Sequence, residues 1–258
     1  MNVIFTNTLG VPEEYSPKPA SALVPEWYKK VDSYVNGAKK PTGEGSSDAT
    51  VKRCMPVFDA IVGGYIILSA ADVYVSQKEA SYADAQHFDE TGETISLSEE
   101  KIKNGNLPKT VPHYEWSSYG LIQFHPIEQM PEHPSRNGHM TYPKWINPWA
   151  IKTPEGYSSL FVQPMHRESP FTILPGIVDT DTYTAAVNFP FVLNDINFEG
   201  LIPAGTPIAQ VIPIKREDWE MSIGTQEEFM EQHQVTNRLN TKFFDRYKSM
   251  FRQPKVYK

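Results

Sequence analysis

The sequence predicts a mainly β protein: a jelly-roll-like barrel with a short N-terminal helical lead-in and a C-terminal helix. Three observations carry that expectation. Proline makes up 22 of the 258 residues, and each one removes a backbone donor and breaks a helix interior. Between residues 111 and 215, short runs of β-branched and aromatic residues alternate with turns marked by Pro and Gly, the pattern of a barrel or sandwich. Only after Trp219 do apolar residues recur at helical spacing.

The elements follow in chain order. Residues 1–50 read as an irregular lead-in packed on the core. Pro25 opens a short helix running to about Tyr34, with Trp27, Val31 and Tyr34 on one face. The polar stretch Lys39–Asp48 reads as a loop. Pro56–Gly64 is one or two helical turns ended by glycines. Tyr65–Leu68 and Asp72–Val75 are strands by their β-branched and aromatic content. Residues 78–95 are a polar excursion, and Thr94–Ser98 alternates like a half-buried strand. Further strands are expected at Tyr119–Phe124, Trp149–Lys152, Ser159–Gln163, Phe171–Leu174, Thr184–Leu193 and Thr206–Ile212. The Pro-rich stretch 126–148 reads as an irregular loop. Thr225-Gln-Glu-Glu228 is a capping box, and apolar residues from Phe229 to Met250 predict a helix over 225–251, packed on the barrel or on a partner. The domain expectation is thus a lead-in (1–50), a β-barrel core (51–216), and a C-terminal helix with a basic tail (217–258).

Composition narrows the function classes. Twenty-four Lys and Arg stand against 31 Asp and Glu, a net charge of −7. A protein that grips nucleic acid by neutralising phosphates is normally basic, so nucleic acid is not an expected partner. The single Cys54 excludes an intramolecular disulfide and suits a reducing compartment. The N-terminal sequence lacks a basic segment followed by an apolar one, and no apolar run is long enough to span a membrane. A cytoplasmic location (the host interior for a phage-encoded chain), without secretion, is the expectation.

The densest motifs lie between Trp149 and Arg216. Gly176-Ile-Val-Asp179-Thr-Asp181-Thr-Tyr183 follows Gln163-Pro-Met-His-Arg167-Glu-Ser169, and Gly205-Thr-Pro-Ile-Ala-Gln210 closes the series. In this order they resemble the dUTPase and dCTP deaminase family. That resemblance covers about 65 residues and implies a β-clip barrel, a homo-oligomer and Mg²⁺ bound with the phosphates. It further implies Asp179 as general base with Asp181 as a second catalytic residue, Tyr183 as the platform under the sugar, Arg167 as the phosphate contact and Gln210 as a further substrate-binding residue. The chain departs from the pattern. Glu168 stands where the family has Ser, and would repel a triphosphate. Thr182 is inserted before Tyr183, Thr184-Ala185 replaces the family's Gly, and no Gly-rich C-terminal arm is present. The whole chain also resembles a family of tailed-phage and bacterial proteins, on Thr50–Pro56, Gly64–Ile67, Asn147–Trp149, Gly176–Asp181 and Asn188–Pro190. This second resemblance implies a phage-type source and no mechanism.

Other constellations each have a structural and a functional reading. Asp179 and Asp181 share a face if extended, so they would hold a hard cation, share a proton, or bond turn donors. His125, His133 and His139 with Glu128 and Glu132 fit no standard metal spacing. His87, Asp89 and His166 would form the facial triad of a non-haem iron oxygenase. Cys54 is expected to be buried as a small apolar residue. Tyr142, Trp145 and Trp149 are expected to be core residues, the functional reading being a stacking platform. The segment 242–258 carries six basic residues and one acidic, a docking element for an acidic protein partner or a helix lying on its own core. Three functions follow: a non-catalytic β-barrel with an accessory, structural or binding role; a nucleotide hydrolase using Asp179; and the iron oxygenase. The incomplete catalytic motif places the first ahead.

Overall fold

A computed structural model describes residues 1–37, 49–76, 81–84, 121–125, 129, 133, 142–195, 198, 200–240 and 247–258. Contacts divide it into two units, Met1–Lys18 with Gly64–Arg216, and Pro19–Gly63 with Glu217–Lys258. The fold is mainly β, as expected, and its helices lie in the second unit.

In chain order the strands are β1 (Ile4–Asn7), β2 (Lys18–Pro19), β3 (Tyr65–Leu68), β4 (Val73–Ser76), β5 (Ser81–Asp84), β6 (Ile122–His125) and β7 (Tyr142–Trp145). They continue as β8 (Trp149–Lys152), β9 (Tyr157–Val162), β10 (Phe171–Ile173), β11 (Gly176–Val178), β12 (Phe189–Leu193), β13 (Gly200–Ile202) and β14 (Pro207–Lys215). They form sheets of order β11-β9-β14-β3-β2, β10-β12-β7-β6, β13-β4-β5 and β1-β8. The pairings within the four-stranded sheet, and those joining β11, β9, β14 and β3, are antiparallel. Among the described residues no sheet closes on itself, so the arrangement is jelly-roll-like without a closed barrel.

The two larger sheets share one core. Ile122, Trp145, Phe171, Ile173, Phe189, Phe191 and Leu193 recur at every second position of β6, β7, β10 and β12, which puts them on one face of their sheet. Ile67, Phe161, Ala209 and Val211 join the same cluster from the other sheet. Trp145 packs 5.3 Å from Phe171 and 5.5 Å from Phe191, ring centre to ring centre. β14 runs between β3 and β9 and is buried without alternation from Ile208 to Val211, as a central strand covered on both faces must be. Gly64 starts β3 with φ of +70°, and a Cβ there would lie 2.0 Å from the Val211 carbonyl oxygen. Only glycine lets β3 approach β14 so closely.

Several expectations change. The 126–148 loop contains β7, because Tyr142–Trp145 pairs with both β6 and β12. The strand expected over Thr184–Leu193 begins only at Phe189, because the chain first turns through 180–185. Trp145 and Trp149 are core residues, 1% and 6% exposed. Thr94–Ser98 lies outside the described residues.

The second unit holds α1 (Glu26–Lys30), α2 (Met55–Val62) and α3 (Gln226–Asn240). α1 is shorter than expected and buries Tyr28 rather than Trp27. Tyr28, Ile61 and Val62 form a small cluster with Val24, Val57 and Phe58 against it. Cys54 is exposed, contrary to expectation, because it caps the start of α2 on a surface turn. The capping box forms as read: the Thr225 N–H donates to Glu228 Oε2 at 2.6 Å and the Glu228 N–H to Thr225 Oγ1 at 3.3 Å. α3 stops at Asn240, and Tyr247–Phe251 makes a separate π-helical turn. Residues 226–237 are all exposed. No helix among the described residues is long and apolar enough to cross a membrane.

Candidate functional site

The candidate site is built where β11 leaves its sheet. After Val178 the chain turns, with the N–H groups of Thr182 and Tyr183 donating to the Asp179 carbonyl at 3.1 and 2.8 Å. Thr180 points inward and is fully buried. Its hydroxyl meets those of Thr153 at 2.9 Å and Ser159 at 2.8 Å, so three buried hydroxyls satisfy one another. That inward anchor leaves Asp179 and Asp181 together on the outer side.

A residue absent from the sequence expectations joins them. Arg216 Nη1 donates to Asp181 Oδ1 at 2.9 Å, and Nη2 donates to Asp181 Oδ2. Nη1 also reaches Asp179 Oδ1 at 3.3 Å, Ser158 Oγ at 3.2 Å and the Tyr157 carbonyl at 3.2 Å. The Ser158 hydroxyl donates to Asp179 Oδ1 at 2.6 Å. The Gly156 N–H donates to Asp181 Oδ2 at 2.9 Å, and the Arg216 N–H donates to the Gly156 carbonyl at 2.8 Å. Gly156 has φ of +82°, which suits the turn that aims these groups. The two-pronged contact with Arg216, then the Gly156 N–H, hold the Asp181 carboxyl down to about 2 from an ordinary 3.8. The carboxylates raise the Arg216 guanidinium in turn, the Asp181 hydrogen bond most. Asp181 is 4% exposed, and Asp179 is 61% exposed.

Arg216 had a readable signal. β14 pairs with β9 through Lys215 opposite Tyr157, so the next residue must arrive beside the Gly156 turn. A cation just past a strand that runs alongside that turn is placed to meet an acidic hairpin. Reading the motifs one at a time concealed this.

The other expected site residues sit on the loop from β9 to β10 or beside it. Gln210 is fully buried in β14, and its side-chain carbonyl accepts the Met165 N–H at 2.9 Å. It therefore positions the loop and does not face solvent. Gln163 helps by accepting the Ile173 N–H at 2.9 Å. His166 takes a left-handed conformation with φ of +57°, a strained choice for a residue with a Cβ. Arg167 follows. Its Nε and Nη2 are buried with no hydrogen-bond partner among the described residues, and desolvation lowers its pKa. Glu168 is exposed. Tyr183 is half exposed beside the Asp179 turn.

The Asp179–Asp181 pair does not fit Mg²⁺, because a guanidinium already bridges the two carboxylates and would repel a divalent cation. His87, Asp89, Glu128, Glu132 and His139 lie outside the described residues, and among the described residues no three His, Cys, Asp or Glu side chains cluster as metal ligands. His166 is exposed, and His125 Nδ1 is paired with Gln129. Of the basic tail, Arg252 pairs with Asp59 of α2 at 2.7 Å, and Lys255 reaches the same carboxylate at 3.2 Å. The Arg252 hydrogen bond is the main cause of the lowered Asp59 pKa.

No family model matches the chain, and no curated relative matches it. Solved structures that resemble it include two phage enzymes. One is a dUTPase variant from phage phi11 of S. aureus, at 13% identity and a TM-score of 0.29, covering 76% of this chain and 96% of that one. The second is a Staphylococcus bacteriophage 80alpha dUTPase variant with dUpNHpp, again at 13% identity and a TM-score of 0.29, covering 76% of this chain and 86% of that one. The likeness is a weak one, to the dUTPase fold only.

Proposed function

We propose that the chain is a non-catalytic binding or accessory protein of phage type, with the β unit as its scaffold and Asp179, Asp181 and Arg216 as a structural clasp. The observation that carries this reading is the Arg216 guanidinium spread across both carboxylates. A general base needs an oxygen aimed at water. Here Asp179 Oδ1 is engaged by Ser158 and Arg216, which leaves its Oδ2 on the solvent side, and both oxygens of Asp181 are engaged by Arg216 and Gly156. The clasp joins the ends of β9, β11 and β14, which is work for a fold, not for a reaction. Incubation with a panel of nucleoside triphosphates and Mg²⁺ should release no product. Turnover that Asp179→Asn abolishes overturns this reading.

One observation favours the nucleotide-handling alternative. Two buried guanidinium nitrogens without a partner among the described residues are costly, and a phosphate would satisfy those of Arg167. In that reading Arg167 holds phosphate, Tyr183 lies under the sugar, Asp179 activates water, and Mg²⁺ enters with the nucleotide. A phosphate-dependent rise in melting temperature that Arg167→Met removes supports it, and no rise counts against it.

A further inference from the structure

Residues 217–231 carry six acidic side chains and no Lys or Arg. Within this stretch Trp219, Met221 and Ile223 alternate with Glu220 and Ser222. They are 86%, 88% and 91% exposed, and residues 217–225 form no helix or strand. Alternation in an extended segment puts the three apolar side chains on one side. Phe229 and Met230 of α3 follow, each about half exposed. The chain leaves this acidic, apolar arm in solvent, where a lone tryptophan and its neighbours gain nothing.

The same unit carries a surface of opposite character. A cavity of about 280 Å³ has Tyr28, Met55 and Phe58 in its lining, with Lys52, Lys248 and Arg252 around them. Lys52 Nζ stands 4.6 Å from the centre of the Tyr28 ring, and the Arg252 guanidinium carbon 5.7 Å from that of Phe58. Among the described residues no carboxylate lines the cavity. Asp59 takes up Arg252, whereas Lys52 Nζ donates to the backbone carbonyls of Tyr28 and Lys29. The volume is just under the roughly 300–1,000 Å³ of small-molecule sites and suits one large side chain. An apolar floor under a cationic rim complements a tryptophan flanked by Glu217, Asp218 and Glu220.

We propose that two copies of this chain associate by exchanging these arms, Trp219 of each copy seated on the Tyr28–Phe58 floor of the other. Charge complementarity selects this occupant: the arm is uniformly acidic and the rim uniformly basic. The chain's own arm does not fill its own cavity, since Trp219 is almost fully exposed and absent from the lining. Exchange is reciprocal, so each contact is made twice, as two-fold association requires. A buried tryptophan ringed by charged groups is the usual anchor of such an interface. The inference concerns the second unit alone and stands whether or not the β unit turns over a nucleotide.

The test uses the full-length chain. Light scattering across a concentration series should show a dimer. Trp219→Ser should raise its dissociation constant at least about tenfold. Lys248→Glu should weaken the dimer as well, and adding Glu220→Lys to that variant should restore it. The single, exposed Cys54 lies next to Met55 of the cavity, so it serves as a cross-linking handle. A chain carrying Glu220→Cys and Cys54→Ser, mixed with the unaltered chain and a short bis-maleimide, should give a covalent dimer. A monomer at every concentration overturns the proposal. So does a dimer indifferent to Trp219→Ser. Cross-linking within a second variant that carries Glu220→Cys and keeps Cys54, with no dimer in the mixture, shows instead that the arm folds onto its own cavity and also overturns it.

Discussion

Replacing Arg216 with Gln separates a clasp from a catalytic centre. Asp181 is held at about 2 in the folded chain, against an ordinary value of 3.8. A carboxyl whose folded pKa is depressed contributes stability that is fully present above the unfolded value. That stability is lost as pH falls through the folded one. In the unaltered protein the clasp therefore contributes in full above about pH 4 and is lost between about pH 4 and pH 2. Without the guanidinium, Asp181 keeps only the Gly156 N–H. Its carboxyl then moves back up toward the ordinary 3.8, and the difference between folded and unfolded chain that made its stabilisation depend on pH disappears. Arg216→Gln should therefore be less stable than the unaltered protein above about pH 4, and the gap, read from denaturant unfolding followed by circular dichroism, should close as pH falls from about 4 to about 2. Arg216→Lys should fall between them, because an ammonium cannot contact both carboxylate oxygens as the planar guanidinium does. The site-specific measurement is carbon-13 NMR titration of the Asp181 carboxyl. A titration near 3.8 in the unaltered chain, or one unmoved by Arg216→Gln, refutes the reasoning.

Three further outcomes follow from named contacts. Gly64→Ala should destabilise the chain by about 3 kcal/mol, because a left-handed residue with a Cβ costs about 1–2 kcal/mol and the Val211 carbonyl must be displaced as well; denaturant unfolding measures it, and a change below about 1 kcal/mol contradicts it. Phe191→Ala should cost about 3–5 kcal/mol by opening a cavity among Trp145, Phe171 and the rest of the shared core, read from the same unfolding curves. Thr225→Ala should cost α3 about 1 kcal/mol by removing the capping box, seen as reduced helicity in a peptide of residues 222–240.

Much of the scaffold was legible because it rests on local chemistry. Tyr65–Leu68 and Trp149–Lys152 are strands at their expected limits, being short β-branched or aromatic runs between turn residues. The capping box at Thr225 was legible for the same reason, since its two partners are three residues apart. β7 was missed because prolines masked it. Pro143 lies within a strand whose pairing depends on β6 and β12, and a local pattern cannot register such partners. Cys54 was misjudged because its residue type favours burial, whereas its place at a helix start decides its exposure. In the candidate site, Asp179 and Asp181 were singled out by the motif resemblance together with their i, i+2 spacing. Arg216 was not, since 35 residues separate it from Asp181.

The excess of proline, the alternation of strand residues, the acidic balance and the position of the last helix were properties of the sequence alone. They determined a mainly β chain whose helices fall outside the strand-rich stretch, because strand periodicity and helix caps act over a few residues. Only the tertiary structure decided what the two aspartates contact and where the acidic arm stands. Strand register brings Arg216 to the hairpin and joins it to both carboxylates. Burial, which depends on every other part of the chain, leaves Trp219 outside the core and exposed on the second unit.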